Sequence, residues 1–382
     1  MNIAILGWYG TETIGDRAIL AGVINLLSEI LPKFDISLGS LIPDFSKRTL
    51  LEDSDFYNEI SQYHLNGISI FDSLNRNELK KAIEKSDLVI VGGGPLMDID
   101  QMFMLEYAFR YAKRKGHNTA IIGCGWGPLK SKKYIESAIS IIQNSDLTIF
   151  RDATSLNEYV DQSKNSFGDV KNVFSSLDPA FFCADYFRRM NTYRNSEHYV
   201  AINFRDISKD QYCGNSLNND KIFVNIINSI RKQYCLPVHL VPMHSYFIGG
   251  DDRSQFNRIA FSLNDSNVIV HNNPPSLVEV MSLYKNAQFC VGMRFHSIVL
   301  QTVLNGRNII LDYTDPDKGK IIGMMRELDM INAYRDRYYS LVNLSVKQLP
   351  IINPEQFAIK EELLLDYKNK YLAHLNALLN NE

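Results

Sequence analysis

Short apolar runs, each followed by a segment of helical period, recur from one end of the chain to the other, and few folds accept that pattern. In the first half Asn2–Leu6, Asp87–Val91, Thr119–Gly123 and Asp146–Phe150 read as strands, with helices at about 18–30, 101–115 and 132–144. In the second half Tyr199–Asn203, Val238–Val241, Val268–Val270, Phe289–Val291 and Asn308–Asp312 read as strands, with helices near 222–234, 252–263, 276–283 and 297–304. Runs that are apolar throughout, rather than alternating, suit parallel strands covered on both faces. Strands alternating with helices then predict an α/β protein of two doubly wound, Rossmann-like domains facing each other across a cleft. A chain of 382 residues is long enough for two cores. The polar stretch Arg188–His198 marks the expected boundary, giving domains at 1–190 and 197–350 and a C-terminal helical segment at 351–382. The region 44–77 reads as polar and poorly periodic, after a weak β segment near 36–41.

Composition narrows the function classes. A formal net charge of −3 makes no electrostatic case for nucleic acid, and no apolar stretch approaches the ~20 residues of a membrane span. The five cysteines include no C-x-x-C pair and lie mostly in apolar runs, so a reducing cytoplasm is expected and no metal site. The chain opens directly on a strand, without a basic leader, and no signal peptide is expected.

Chemistry gathers where strands end. Phe289–Val291 runs into Gly292-Met-Arg294-Phe-His296-Ser297, and an almost wholly apolar helix follows up to Asn305-Gly306. Ligands of open α/β sheets bind at the carboxyl ends of strands, and a helix start there favours anions. A fixed cation beside a group that titrates near neutrality suits catalysis on an anionic substrate. Similar endings recur. Gly15-Asp16 follows the first strand, and Gly92-Gly93-Gly94 follows the strand at 87–91. Arg151-Asp152 follows the strand at 146–150, with Thr154 or Ser155 as the expected helix cap, and Asn203-Phe-Arg205-Asp206 follows the strand at 199–203. The glycines either shape tight turns or let backbone N–H groups cradle an anion, and their spacing is not that of a dinucleotide loop. His244 and Asp251-Asp252 flank a Gly-Gly loop that reads better as solvated charge than as a site.

The order of these elements resembles the polysaccharide pyruvyltransferase family over most of the chain. The resemblance rests on Thr13-Ile-Gly15-Asp16, Gly92-Gly-Gly94, Gly123-Cys-Gly125-Trp-Gly127-Pro128-Leu129, Arg151-Asp152 with Ser155, Asp178-Pro179-Ala180-Phe181, Gly292-Met-Arg294-Phe-His296 and a lysine after Asp312-Tyr313. Departures are the Thr13-Ile14 before Gly15-Asp16, where asparagine is usual, and Phe295 where leucine is common. Spacing to Leu328 favours Lys320 as the late lysine, with Lys318 competing.

The resemblance implies a GT-B-like fold and transfer of a pyruvyl group from phosphoenolpyruvate to two hydroxyls of a sugar, forming a cyclic ketal and releasing phosphate. It implies no metal and no cofactor beyond phosphoenolpyruvate as co-substrate. The acceptor is a saccharide, either polymer, lipid-linked precursor or nucleotide sugar, and the ketal is 4,6 or 3,4. The expected protein is cytoplasmic, with peripheral attachment to the inner membrane face compatible with this, and oligomeric state is open. Arg294, Arg151 and Lys320 are expected to hold the donor, with His296 as acid–base residue. Gly15, Asp16, Gly93, Gly94, Asn203, Arg205 and Ser297 are expected to bind substrate, and Arg151 is expected close to His296. Two rivals share the architecture: a glycosyltransferase using a nucleotide-sugar donor, and a binding module without catalysis.

Overall fold

A computed structural model of the chain describes residues 1–164, 172–190, 198–207, 219–341 and 354–380. Cys213, residues 191–197 of the expected boundary and 351–353 of the expected C-terminal segment lie outside the described residues. The chain forms two compact units, one of Met1–Thr11, Asp16–Cys183 and Glu361–Glu382, the other of Glu12–Gly15 and Ala184–Lys360.

The first unit alternates β1 (Asn2–Leu6), α1 (Ile14–Ser28, from Asp16 on), β2 (Phe34–Ser40), α2 (Pro43–Ile60), β3 (Leu65–Asp72), α3 (Arg76–Glu84), β4 (Leu88–Gly92) and β5 (Pro95–Leu96). It continues through α4 (Met102–Lys115), β6 (Asn118–Trp126), α5 (Lys132–Gln143), β7 (Leu147–Phe150), α6 (Ala153–Ser163), β8 (Val173–Ser175) and the start of α7 (Ala180–Met190). Its parallel sheet runs β3-β2-β1-β4-β6-β7-β8, with β5 pairing beside β6. Ile3 to Leu6, Leu88 to Ile90 and Ala120 to Ile122 have no exposed surface, which is why these stretches are apolar throughout. Buried Arg17 meets Asp53 across α1 and α2, its Nε 2.5 Å from Oδ2.

The second unit alternates β9 (Val200–Asn203), α8 (Asn219–Tyr234), β10 (Val238–Leu240), α9 (Asp252–Leu263), β11 (Val268–Val270), α10 (Leu277–Asn286) and β12 (Phe289–Gly292). It then adds α11 (Phe295–Leu304), β13 (Asn308–Asp312), α12 (Lys320–Glu327) and β14 (Tyr338–Ser340). The sheet order β11-β10-β9-β12-β13-β14 is parallel throughout and, counted within the unit, is 3-2-1-4-5-6. The order reverses between β9 and β12, the place where doubly wound sheets hold ligands. Both units are thus Rossmann-like, as the alternation predicts.

Three readings change. The poorly periodic region holds α2 and β3; β3 is an edge strand in which only Leu65 is buried, so its sequence lacks the signature of a covered strand. The units divide within α7, after Cys183, rather than beyond residue 190. The C-terminal helix α13 (Glu361–Asn380) belongs to the first unit instead of standing apart. Buried Tyr371 donates its hydroxyl to the Leu177 carbonyl at 2.7 Å, and the Ser176 hydroxyl donates to the Tyr367 carbonyl at 3.1 Å.

Candidate functional site

In the second unit the carboxyl ends of β9, β10, β12 and β13 bring Asn203, Arg205, His244, Arg294, His296, Tyr313 and Lys320 into one electrostatic cluster. The framework comes first. Asn203, wholly buried, accepts from the Arg294 backbone N–H at 3.2 Å and donates its amide to the Val241 carbonyl at 3.0 Å, tying three strand ends together. Both ends of its amide are therefore engaged within the fold, which makes it a bracket for the site.

Arg294 stands at the N-cap of α11 and is only 7% exposed. Its guanidinium forks onto Asp252, the first residue of α9, with Nε 3.0 Å from each carboxylate oxygen and Nη2 2.5 Å from Oδ1. Asp252 is 2% exposed and also accepts from the backbone N–H groups of Met243 and His244 at 3.0 and 3.1 Å. The expectation of solvated charge here is therefore overturned at Asp252. Its neighbour Asp251 caps α9 by accepting from the Arg253 N–H and pairs with the Arg253 side chain. A bidentate arginine pair fixes the plane of the guanidinium, so Arg294 is positioned rather than mobile.

His244 follows β10, and its buried Nδ1 has no hydrogen-bond partner among the described residues. Burial first, then the charges of Arg294, Arg205, His296 and Lys320, push its pKa well below the usual histidine value, so the ring is neutral at physiological pH. The same loop is pinned to Glu12–Gly15: Thr13 bridges to His244, and the Ile14 N–H donates to the Met243 carbonyl at 3.0 Å. Gly15 sits against the imidazole of His296, where a Cβ would overlap the ring. His296, half-buried, is the second residue of α11 and meets the Phe295 ring edge-on.

Arg205 and Lys320 complete the cluster. Arg205 Nη1 donates to the Tyr313 hydroxyl at 2.7 Å. Lys320, the first residue of α12, places Nζ 5.7 Å from the Tyr313 ring centroid and 5.9 Å from that of Phe295. Lys318 is exposed on the preceding turn, where its N–H donates to Asp315, so Lys320 is the lysine of this cluster. Ser297 is fully buried and donates its hydroxyl to the Arg294 carbonyl at 2.7 Å, an internal cap contact. Three cations gather here, with Asp252 against Arg294 and buried Asp312 near Lys320, and an arrangement of converging cations suits a small polyanion.

In the first unit Arg151 directly follows β7 and is 6% exposed, with Nε 3.6 Å from Asp152 and Nη1 3.9 Å from Asp178. Its guanidinium lies over Gly125, where any Cβ would crowd it. Asp152, not Thr154 or Ser155, caps α6, accepting from the Ser155 N–H at 2.6 Å. Gly93 and Gly94 have φ of +80° and +72°, and side chains there would strike Ile19 and Trp8, so packing alone requires glycine at both. Asp16 accepts from the Thr11 hydroxyl at 3.1 Å. Among the described residues no group of three or more His, Cys, Asp or Glu is placed to hold a metal ion, and no helix is long and apolar enough to cross a membrane.

The spacing of Arg294 and His296 beside a strand end was a usable signal. Nothing local in the sequence separates Tyr313 from the other tyrosines, and Asp252, which reads there as solvated charge, acquires its meaning from a partner 42 residues away.

The family model for polysaccharide pyruvyl transferase matches residues 14–316. No curated protein matches the chain. Among solved structures, a protein from Listeria monocytogenes assigned as a UDP-N-acetylglucosamine 2-epimerase matches with a TM-score of 0.55 at 11% identity, covering 100% of this chain and 88% of that one. The UDP-GlcNAc 2-epimerase from Neisseria meningitidis matches at 0.53 and 11%, over 99% and 100%. That from Methanocaldococcus jannaschii matches at 0.52 and 12%, over 99% and 100%. At such identities the likeness carries the GT-B-like fold and nothing of the chemistry.

Proposed function

This chain belongs to the polysaccharide pyruvyl transferase family, and from that premise we propose that it transfers pyruvyl from phosphoenolpyruvate to two hydroxyls of a saccharide, closing a cyclic ketal and releasing phosphate. The observation that carries the reading is the cationic cluster of Arg205, Arg294 and Lys320 at the sheet's reversal point, with His296 on the adjoining helix start. Phosphoenolpyruvate bears a phosphate and a carboxylate on a three-carbon frame and calls for several converging cations. In this scheme Arg294, held by Asp252, and Lys320 bind the donor. His296 gives a proton to the methylene carbon and takes one from the first attacking hydroxyl. The cations stabilise the charge that develops as phosphate leaves. The acceptor is proposed to be a polymer or its lipid-linked precursor, met in the cytoplasm or at the inner membrane face.

The test is to incubate the purified chain with phosphoenolpyruvate and a crude saccharide acceptor fraction. Expected are acceptor-dependent phosphate release and a pyruvyl mass gain on the acceptor. Release of nucleoside diphosphate from nucleotide sugars, with phosphoenolpyruvate untouched, would instead establish a glycosyltransferase.

A second expectation concerns Gly15. Because its φ is not in the left-handed region, Gly15→Ala strains no backbone and acts by displacing the His296 ring. A displacement of about 1 Å costs about 10²-fold in turnover, with the unfolding midpoint nearly unchanged. Unaltered turnover would show that His296 does not need this placement.

A further inference from the structure

The proposed reaction leaves two protons to be housed, and His296 accounts for one. Two hydroxyls lose protons; one proton ends on the donor's methylene carbon, and the other on the phosphate that departs. His296 runs the first exchange and ends as it began. The second exchange, which needs an acid for the leaving group and a base for the second hydroxyl, has no owner in that scheme.

We propose, on the strength of the pyruvyl-transfer reading, that Tyr313 is the second acid–base residue of this site. It gives its phenolic proton to the departing phosphate and recovers one from the second hydroxyl. Tyr313 follows the last residue of β13 and is 8% exposed. Its oxygen accepts from Arg205 Nη1 at 2.7 Å, and the charge of Lys320 acts on it from nearby. The Arg205 guanidinium lies 5.0 Å from the ring centroid, and Lys320 Nζ lies 5.7 Å from it. A phenol oxygen that accepts from a guanidinium keeps its own O–H to donate elsewhere, and the phenolate left behind is stabilised in place by the cations around it.

Other buried tyrosines are built the opposite way. Tyr9, Tyr371 and Tyr334 donate their hydroxyls to neutral oxygens of Gly92, Leu177 and Asn308, and burial raises their pKa values. At Tyr313 burial also acts to raise the pKa, but Lys320, Arg205 and Arg294 outweigh it and bring the value down to about 8. The adjacent Asp312 carboxylate is directed to Thr314 and Tyr338, and burial raises its own pKa. Asp252 is engaged by Arg294, and the remaining titratable neighbours in the cluster are His244 and His296.

The step balances. As the C–O bond to phosphate breaks, its electron pair stays on the bridging oxygen, which takes the Tyr313 proton. Phosphate leaves as the hydrogen phosphate dianion. The second hydroxyl then bonds to the same carbon, its O–H breaks, and the proton returns to the phenolate. No oxidant or further reactant enters.

An acid must hold its proton, so kcat/KM for phosphoenolpyruvate should be full below about pH 8 and fall as pH rises through that value. The limb in kcat should lie higher, because the bound anion draws on the same cations. Tyr313→Phe should lower kcat by about 10²-fold, leave the donor KM nearly unchanged, and abolish the alkaline limb. Independently of turnover, ultraviolet titration of the intact protein should show one tyrosinate forming near pH 8, absent from Tyr313→Phe. Added phosphoenolpyruvate should shift it upward. A working enzyme whose Tyr313→Phe variant keeps its rate and its alkaline limb overturns the proposal, as does the lack of any early tyrosinate. If the early tyrosinate is present but the wild type never uses phosphoenolpyruvate, the pyruvyl-transfer reading has failed and Tyr313's part in it falls too.

Discussion

His296→Ala is expected to lower turnover by about 10²–10⁴-fold, the usual worth of a positioned acid–base group, while donor binding stays within a few-fold of normal. The separation of the two effects follows from the geometry. The donor cations have anchors of their own: Arg294 is fixed by Asp252, and Arg205 donates to Tyr313. The substitution is mild for the fold, because the imidazole is only half-buried and alanine is the best helix former at the second position of α11. Calorimetric titration with phosphoenolpyruvate and single-turnover phosphate release would read the two quantities apart. Near-normal turnover would remove His296 from the chemistry. Loss of binding in step with turnover would make it a donor ligand instead.

Much of the fold is legible in the sequence because parallel strands covered on both faces are apolar along most of their length. β1, β4, β7, β9, β12 and β13 are therefore visible as short apolar runs, with polar residues mainly at their ends. β3 and β14 lie at sheet edges, where partial exposure admits polar residues and the signal fades. The site divides along similar lines. Arg294 and His296 are legible because a strand end and a helix start bracket them within a few residues. What their neighbours do is not. Asn203 and Ser297 have the polar side chains of ligand contacts, yet both spend them inside the fold, and only the crossing of β9, β10 and β12 decides that. Lys320 and Lys318 are alike in sequence, and the start of α12 separates them, turning one toward Tyr313 and leaving the other exposed. Local chemistry is thus readable, whereas pairing between distant strand ends is a property of the folded sheet.

The pairing of Arg294 with Asp252 leads to an asymmetric expectation. Asp252→Ala leaves a buried guanidinium without its counter-charge and should cost about 3–5 kcal/mol, the range for breaking a buried ion pair from one side. It also strands the backbone N–H groups of Met243 and His244, which otherwise donate to this carboxylate. Arg294→Met breaks the same pair from the other side, but Asp252 keeps those two N–H donors and the Asn203 amide at 3.4 Å. A carboxylate that retains charge-assisted hydrogen bonds is less exposed to desolvation than an orphaned guanidinium, and the methionine fills the stem's volume. Arg294→Met should therefore cost less stability than Asp252→Ala, although it removes a donor cation and weakens phosphoenolpyruvate binding more. Urea unfolding followed by a probe in the second unit would rank the two variants. Equal costs, or a larger cost for Arg294→Met, would mean that Asp252 depends on Arg294 for its charge, and that the carboxylate is not the fixed point around which the site is built.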